Sequence, residues 1–355
     1  MKNIKIGKKT IGEGSPSFIV AEMSGNHEQN YDKAVAIIKA AVNAGADAIK
    51  LQTYTADTMT LNSDKEWFRV GGEKNPESWK GQTFYELYKK AYTPWEWFPK
   101  LKKIAEDLGL VFFSTPFDAT AVDFLEKLGV PAYKIAAYES VDVPLLQRVA
   151  KTEKPVIVSV GFSTLEEVKL TVETLKMAGS KDIVILQCTT SYADKPRVGA
   201  TNLRTMKDIR EKFKVHSGLS DNMGGIDAPV LAASLGAVVI EKHLVLEHGS
   251  ALDDRFSLDP NEFKAMVDSI RKNETMLGKV AYGPQTPEEK YNKNFRRSLF
   301  VAADIKKGDK FTVKNVRSIR PGYGLPPKDY DRVIGKRAKV DISLGTPLSW
   351  KLIQK

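Results

Sequence analysis

The sequence predicts an α/β protein, a (β/α)8 TIM barrel followed by a small β-rich domain. Three observations support this prediction. Short apolar runs recur along the first part of the chain, segments with helical period lie between them, and the composition changes near residue 281. Apolar strands that alternate with helices are typical of a covered parallel sheet, and eight such units in about 250 residues are typical of this barrel.

Each predicted strand is a short run rich in β-branched residues. The first helix, "YDKAVAIIKAAVNAG", ends at Gly45, and a later one is predicted to begin at a capping box of Ser163 and Glu166 and to end at Gly179. A doubly wound open sheet is the alternative, but no glycine-rich dinucleotide motif follows the first strand. The eight predicted strands are "SFIVAE", "ADAIKLQ", "LVFFSTP", "AYKIAA", "PVIVSVG", "IVILQCT", "KVHSGLS" and "AVVIEKH".

One predicted connection is unusually long. More than fifty residues separate "KLQTYT" from "LVFFSTP", and they include Trp67, Trp79, Trp95 and Trp97. A loop of this length usually has a function, such as a lid or a wall against the substrate. The alternative is that "YELYKKAY" and "WEWFPKLKKIAEDLG" form extra helices packed by these aromatic residues. The two interpretations are compatible.

The basic charge of the chain lies in its last part. We predict a barrel over residues 1–280, a polar linker over 281–294 and a β-rich domain over 295–355. Residues 281–355 contain 17 Lys and Arg against 7 Asp and Glu, which accounts for the whole net charge of +10. Either a polyanion or an acidic partner or substrate could be recognised there. No contiguous basic run or nucleic-acid motif is present, so no nucleic-acid partner is expected.

The sequence contains no apolar run near the roughly 20 residues of a membrane span and no recognisable secretory signal. Its one cysteine, Cys188, rules out an intrachain disulfide and a multi-cysteine zinc site. We therefore expect a cytoplasmic protein without a membrane partner.

Polar residues are concentrated at the ends of the predicted strands, where barrels of this type have their active sites. Lys50 and Lys134 lie inside otherwise apolar strands, and a buried ammonium group needs a partner or an anion. We favour anion binding over structural ion pairing. The strand-end residues are Glu22, Lys50, Gln52, Ser114, Thr115, Lys134, Glu139, Thr189, Ser220, Asp221, Asn222, Glu241, Lys242 and His243.

Carboxylates, histidines and the cysteine are the residues that could act in chemistry. Each glutamate alone is more often structural, but together they could supply a general acid or base. His216 lies inside a strand and reads as a core residue, whereas His27 and His243 are possible metal ligands. Cys188 is expected to be structural because no histidine lies beside it in sequence.

Several motifs together resemble the N-acylneuraminate (sialic acid) synthases. These are "AEMSGNH", "GADAIKLQTYT", "AYTPWEW", "FFSTPFD", "AYKIAAYE", "GLSD" and "IEKH". The last part, from "RRSLFVAADIKKGD" to "GTPLSW", looks like the family's antifreeze-like, or SAF, domain. The resemblance covers nearly the whole chain. Within the family, "KLQTYTADTMTL", "AYTPWEW" and "RPGYGLPPK" look most like the pseudaminic acid synthases.

The resemblance implies that phosphoenolpyruvate condenses with an open-chain 2-acetamido sugar, giving a nonulosonic acid and phosphate. For the pseudaminic branch the sugar would be 2,4-diacetamido-2,4,6-trideoxy-altrose, and the cofactor a divalent metal, typically manganese. It implies catalytic roles for Glu22, Glu139 and Glu241, and a metal at His243. It also implies a domain-swapped homodimer in which Arg320 enters the partner's site. The implied substrate-binding residues are Lys50, Gln52, Thr115, Lys134, Thr190, Tyr192, Ser220, Asp253 and Arg320.

Three positions depart from the family pattern. Asn222 stands where a second metal-binding histidine is usual, Ala137 where a serine often contacts phosphate, and Thr190 where asparagine is common. The amide oxygen of Asn222 is a weaker ligand than imidazole. The alternatives are therefore a synthase for N-acetylneuraminate or legionaminate that uses a mannosamine-type sugar, a catalytically weakened relative that only binds its ligands, and a polyanion-binding module in the basic domain.

Overall fold

The structure, a computed structural model, describes residues 1–71, 81–193, 198–249 and 251–354, without the side chains of 191–193 and 198. The chain divides into two compact units, Met1–Gly278 and Lys279–Lys355. The first unit begins with an antiparallel hairpin of β1 (Ile4–Ile6) and β2 (Lys9–Ile11). Trp79, one of the four tryptophans of the long connection, lies outside the described residues.

Eight parallel strands close into a barrel, which confirms the predicted fold. Each strand pairs with the next one along the chain, and the last pairs with the first. The barrel strands are β3 (Phe18–Glu22), β4 (Ala48–Thr53), β5 (Val111–Pro116), β6 (Tyr133–Ile135), β7 (Val156–Ser159), β8 (Ile183–Ala193), β9 (His216–Met223) and β10 (Val239–His243).

Most helices of this unit pack their apolar faces on the outside of the barrel, whereas α2 (Ala56–Met59) and α3 (Phe84–Ala91) contribute to the cavity described below. Helix α1 ends at Gly45, whose φ of 84° suits glycine, as predicted. The helices are α1 (Tyr31–Ala44), α2 (Ala56–Met59), α3 (Phe84–Ala91), α4 (Phe98–Asp107), α5 (Ala119–Leu128), α6 (Val143–Ala150), α7 (Leu165–Met177), α8 (Arg204–Phe213), α9 (Asp227–Ser234) and α10 (Pro260–Leu277).

The predicted capping box of helix α7 is displaced by one residue. Thr164, not Ser163, is the N-cap, and its hydroxyl and the Glu167 carboxylate bond each other's backbone N–H groups. The sequence "STLEE" offers two hydroxyl–glutamate pairs at the same spacing, so spacing alone could not select between them.

The barrel interior changes character along its axis. At the amino-terminal ends of the strands, an apolar cluster closes the barrel. In it, Phe18, Val20 and Val239 pack with Ile6 and Ile11 of the β1–β2 hairpin. His216 is buried, and its Nε2 lies 2.8 Å from the carbonyl oxygen of Lys2, which confirms it as a core residue. The polar residues therefore collect at the opposite end.

The second unit is small and rich in turns around its own apolar core. A short helix, α11 (Pro287–Asn292), lies within the stretch predicted as a linker. An antiparallel pair, β11 (Ser298–Val301) and β12 (Val316–Ile319), and a four-residue helix, α12 (Tyr330–Val333), follow. In the described ranges of both units, no helix combines the length and apolarity that crossing a membrane requires.

Candidate active site

A cavity of about 540 Å³ opens at the carboxyl ends of the barrel strands. This volume lies in the range of small-molecule sites. Most of the residues predicted for the site line it: Glu22, Lys50, Gln52, Thr115, Lys134, Glu139, Thr190, Ser220, Asn222, Glu241, His243 and Asp253.

Alternation along the strands decides which polar residues enter the cavity. Ser220 and Asn222 of β9 line it, and Asp221 between them does not. Asp221 instead accepts hydrogen bonds from Thr189 Oγ1 at 2.6 Å and from Lys242 Nζ at 2.7 Å. The expectation that Asp221, Thr189 and Lys242 belong to the site is therefore wrong, because they form a buried network on the outer side of the strands.

Two lysines and two glutamates form a charged cluster inside the cavity. Lys50 Nζ pairs with the carboxylate of Glu22, lies 3.9 Å from Glu241 Oε1, and donates to Thr115 Oγ1 at 3.0 Å. Lys134 Nζ lies 3.5 Å from the same Glu241 oxygen. All four charged side chains are at most 6% exposed. Ion pairing is thus present, although it does not exclude an anion that shares the lysines.

The two lysines differ in how well they are compensated. Burial alone would lower the pKa of Lys50, but the carboxylates of Glu22 and Glu241 outweigh burial and raise it. Burial lowers the pKa of Lys134, which Glu241 only partly offsets. Lys134 is held by Ser159 Oγ at 2.7 Å and by the carbonyl oxygen of Ile135. Its ammonium group is the one that an incoming anion would stabilise most.

The glutamates also differ in their protonation. Burial raises the pKa of Glu139 to about 7, and its Oε2 atom has no hydrogen-bond partner within the described part of the chain. Burial also raises the pKa of Glu22, with Lys50 opposing it. For Glu241 the two lysines outweigh burial and lower the pKa. Glu139 is therefore suited to exchange a proton near neutral pH.

A polar network joins Glu22 to Asp253 across the mouth of the cavity. Gln52 Nε2 donates to Glu22 Oε1 at 3.2 Å and to Ser24 Oγ at 3.0 Å, and the Ser24 hydroxyl donates to Asp253. Burial raises the pKa of Asp253. Asn26 holds the same segment, since its Oδ1 accepts a hydrogen bond from the Asp253 N–H.

His243 and Asn222 suit a metal in their chemistry. Burial lowers the pKa of His243 to about 3, so its imidazole is neutral, as a metal ligand requires. Its Nδ1 atom is buried and, among the residues described, has no hydrogen-bond partner. Asn222 contacts Cys188 Sγ through Nδ2 at 3.8 Å, and an amide oxygen is a common ligand of hard cations. These residues fit a divalent metal.

A second group of ligand-type side chains lies outside this cavity. His248, Asp259 and Glu262 have ligand atoms within 4.8 Å of one another. Asp259 and Glu262 form the capping box of helix α10, and Glu262 also lies 3.2 Å from His248 Nε2. Their proximity is explained by these contacts.

Several cavity residues were not predicted from the sequence. Ser159 ends β7 and bonds Lys134, so the rule for strand ends could have identified it. Ser24 follows β3 by two residues, in the turn that begins after the strand end, so the same rule could have identified it. Met59, Val70, Phe84, Leu87 and Tyr88 also line the cavity, and no chemical motif marks them.

Cys188 lines the cavity, and burial raises the pKa of its thiol to about 12, so the thiol stays protonated near neutral pH. Thr190 lies where β7 and β8 approach closely. A Cβ on Gly161 would come within 2.8 Å of the Thr190 methyl group, which explains a glycine there. The Tyr192 side chain lies outside the described residues. Arg320 is exposed in the second unit, directly after β12.

The chain is similar to known synthases in sequence and in fold. The chain is 45% identical over 334 residues to a pseudaminic acid synthase of Campylobacter jejuni, covering 93% of this chain and 95% of that protein. It is 40% identical over 337 residues to the pseudaminic acid synthase of Helicobacter pylori, covering 94% and 97%. A crystal structure of an N-acetylneuraminic acid synthetase from Leptospira borgpetersenii in complex with citrate matches with a TM-score of 0.71 and 28% identity, over 82% of this chain and 95% of that one.

Family models match both units. The SAF domain model matches residues 296–354, and the NeuB family model matches residues 37–282, more than half of the chain. The predicted resemblance is therefore confirmed: the chain belongs to the NeuB family and carries a C-terminal SAF domain.

Proposed function

We propose that this protein is an enzyme that condenses phosphoenolpyruvate with an open-chain N-acylated amino sugar, giving a nonulosonic acid and phosphate. The proposed sugar is 2,4-diacetamido-2,4,6-trideoxy-altrose, which makes the product pseudaminic acid. The observation that carries the proposal is the buried cluster of Lys50, Lys134, Glu22 and Glu241 at the mouth of the barrel. The high identity to two pseudaminic acid synthases supports the choice of sugar.

The lysines are proposed to bind the anionic groups of phosphoenolpyruvate. A phosphate or carboxylate beside Lys134 would add to the negative charge of Glu241, which only partly offsets the burial of this lysine, with Ser159, Thr115 and Ser220 as neutral donors nearby. Ser220 Oγ now donates to Glu241 Oε1 at 3.1 Å, and it can redirect this bond towards a ligand.

Glu139 is proposed to move the proton. The reaction forms a bond between C3 of phosphoenolpyruvate and the aldehyde carbon of the sugar, and the aldehyde oxygen becomes a hydroxyl group. Water then adds at C2, loses a proton, and the C–O bond to phosphate breaks. A carboxyl group with a pKa of about 7 can donate the first proton and, as a carboxylate, accept the second. One residue would thus serve both steps.

A divalent metal, proposed to be manganese, would be held by His243 and by the Asn222 amide oxygen. When bound it would supply a Lewis acid that polarises the aldehyde oxygen. The unbonded Nδ1 atom of His243 supports this assignment.

The second unit is proposed to complete the site of a partner subunit. Arg320 is exposed, and a guanidinium can bind the oxygen of an N-acyl group. The proposal is a domain-swapped homodimer that acts in the cytoplasm. Light scattering after gel filtration tests it, and a full-length protein that remains monomeric at assay concentration would contradict it.

The function is tested by measuring phosphate released from phosphoenolpyruvate. We expect release that requires the diacetamido sugar and increases with manganese. Lys134→Met should raise the KM for phosphoenolpyruvate, and the matched surface change Lys169→Met, at a side chain 61% exposed, should not. Release only with a mannosamine-type sugar would favour the sialic or legionaminic alternative. No release with any N-acylated sugar would favour a binding protein without turnover.

A further inference from the structure

The cavity has two chemically different sides. Its charged residues come from the barrel strands and from the connections that follow β6 and β10. A second set comes from the long connection between β4 and β5: Met59, Val70, Phe84, Leu87, Tyr88 and Ala91. None of the lining residues in the described part of that connection carries a charge. We call the surface formed by the aromatic residues Tyr54, Phe84 and Tyr88 together with the aliphatic Leu87 the aromatic wall.

Helix α3 presents the wall as one face. Phe84, Leu87, Tyr88 and Ala91 are spaced three or four residues apart, which places them on the same side of a helix. Leu87 is buried, and the Tyr88 ring meets the Tyr54 ring edge to face with centroids 5.7 Å apart. Phe84 stacks on Tyr88 at 6.2 Å. The wall is therefore a packed surface.

Two contacts fix the wall relative to the rest of the barrel unit. The capping box of Thr83 and Glu86 fixes only the start of helix α3 itself. At the other end, a Cβ on Gly25 would lie 3.6 Å from the Ala91 side chain, so the helix rests against the turn that follows β3. Trp95 Nε1 donates to the carbonyl oxygen of Tyr54 at 3.1 Å. A wall held in this way can select between ligands.

The chemistry of the wall identifies the part of the substrates that it can contact. Phosphoenolpyruvate is a small anion, and its charges need the lysines rather than an apolar surface. Burying the methyl group of a deoxy carbon or of an N-acyl group against aromatic rings is favourable, because it removes apolar surface from water. A sugar hydroxyl packed on the Phe84 ring, which has no polar group, would lose its water without a replacement.

We propose that the aromatic wall selects a sugar with a deoxy methyl group and a second N-acyl group over a sugar with hydroxyl groups in those places. This inference rests on the proposed function and adds its specificity determinant. It gives helix α3, which lies outside the regular barrel, a direct role in substrate choice.

The test compares two sugars and three variants of the full-length enzyme. In phosphate release, wild-type kcat/KM should be at least about tenfold higher for 2,4-diacetamido-2,4,6-trideoxy-altrose than for N-acetylmannosamine. Phe84→Asn should reduce this ratio to near one, and Phe84→Leu should retain most of it. Tyr85→Asn is the matched control, since Tyr85 bonds Asp57 and does not line the cavity. It should leave the ratio unchanged.

Equal loss for both sugars in Phe84→Asn, or no preference in the wild type, would overturn the inference. A second readout separates it from the proposed function. The open-chain alditols of the two sugars lack the aldehyde and cannot condense, so calorimetry measures their binding alone. If the wild type released no phosphate, the proposed function would fail. Tighter binding of the diacetamido alditol, abolished by Phe84→Asn, would still support the wall, and equal or absent binding would refute it.

Discussion

At the scale of single residues, the charge balance around the two buried lysines gives them different roles. Glu22 pairs with Lys50 and raises its pKa, whereas burial lowers the pKa of Lys134 and the Glu241 carboxylate beside it only partly offsets this. Replacing one member of a buried ion pair leaves the other charge uncompensated. An anionic substrate that binds beside Lys134 would stabilise its charged ammonium group.

The protonation of Glu139 is expected to set the pH dependence of the reaction. Its pKa is raised to about 7 by burial, and the proposed cycle begins with the protonated form. Activity with saturating substrates should fall as pH rises through about 7, because the proton is then lost. Glu139→Gln should be slower by about 100-fold or more and should lack this limb. The pH profile of kcat measures both effects.

The exposed carboxylate Glu166 provides the control, since Glu166→Gln should keep the wild-type profile. A Glu139→Gln profile that still falls near pH 7 would assign the titration to another group.

The residue at position 222 is expected to affect how much metal the reaction needs. Asn222→His supplies an imidazole next to the cavity in place of a neutral amide oxygen, which transition metals bind less tightly. The manganese concentration for half-maximal phosphate release should fall by about tenfold or more. Asn43→His, on the exposed side of α1, is the control and should change nothing. An unchanged manganese requirement in Asn222→His would mean that this position does not hold the metal.

Much of the site at this scale could be predicted, because strand ends in a barrel of this type form the site. The sequence did not reveal on which face of β9 each residue lies, so the expectation that Asp221 faces the cavity together with Ser220 was wrong. A one-residue shift in register exchanges the two faces of a strand. The contact of Ser159 with Lys134 was missed for a related reason, since it joins neighbouring strands.

At the scale of elements, the turn of Ser24–His27 connects the barrel to its long insertion. His27 is buried, and burial lowers its pKa to about 4, so the ring is neutral. Its Nδ1 accepts the N–H of Gln29, which leaves Nε2 as the donor to Thr93 Oγ1 at 2.9 Å. His27 was considered as a metal ligand, but both of its nitrogens are already used.

Thr93→Val tests this connection. The change keeps the shape of the side chain but leaves the buried Nε2–H of His27 without an acceptor. The free energy of unfolding should fall by about 1–3 kcal/mol in urea titrations at pH 7. The exposed helical change Thr275→Val should alter it by less than about 0.5 kcal/mol. Equal small effects would show that the bond to His27 does not hold the insertion.

The insertion was predicted only in outline. Both expected helices are present, as α3 and α4, and the first also lines the cavity, whereas a role of the connection at the substrate stays a prediction. Trp95 and Trp97 pack against the barrel core, whereas Trp67 is exposed. Side-chain packing in a long connection depends on tertiary contacts, which periodicity does not encode.

At the scale of the whole molecule, the two ends of the barrel have separate tasks. The β1–β2 hairpin packs apolar side chains at the amino-terminal end, and the polar cluster occupies the carboxyl end. This division is general for the fold, since one end stabilises and the other catalyses. It could be predicted because strand number and strand ends are visible in sequence, whereas the hairpin could not, since its strands are only three residues long.

The central claim is that the chain joins phosphoenolpyruvate to an N-acylated amino sugar with cleavage of the C–O bond. The most direct measurement is mass spectrometry of a reaction with the diacetamido sugar and phosphoenolpyruvate that carries ¹⁸O in its bridging oxygen. We predict one product with the mass of sugar plus phosphoenolpyruvate plus water minus phosphoric acid, and the label in free phosphate. Pyruvate beside unchanged sugar, or the label retained in the organic product, would contradict the account.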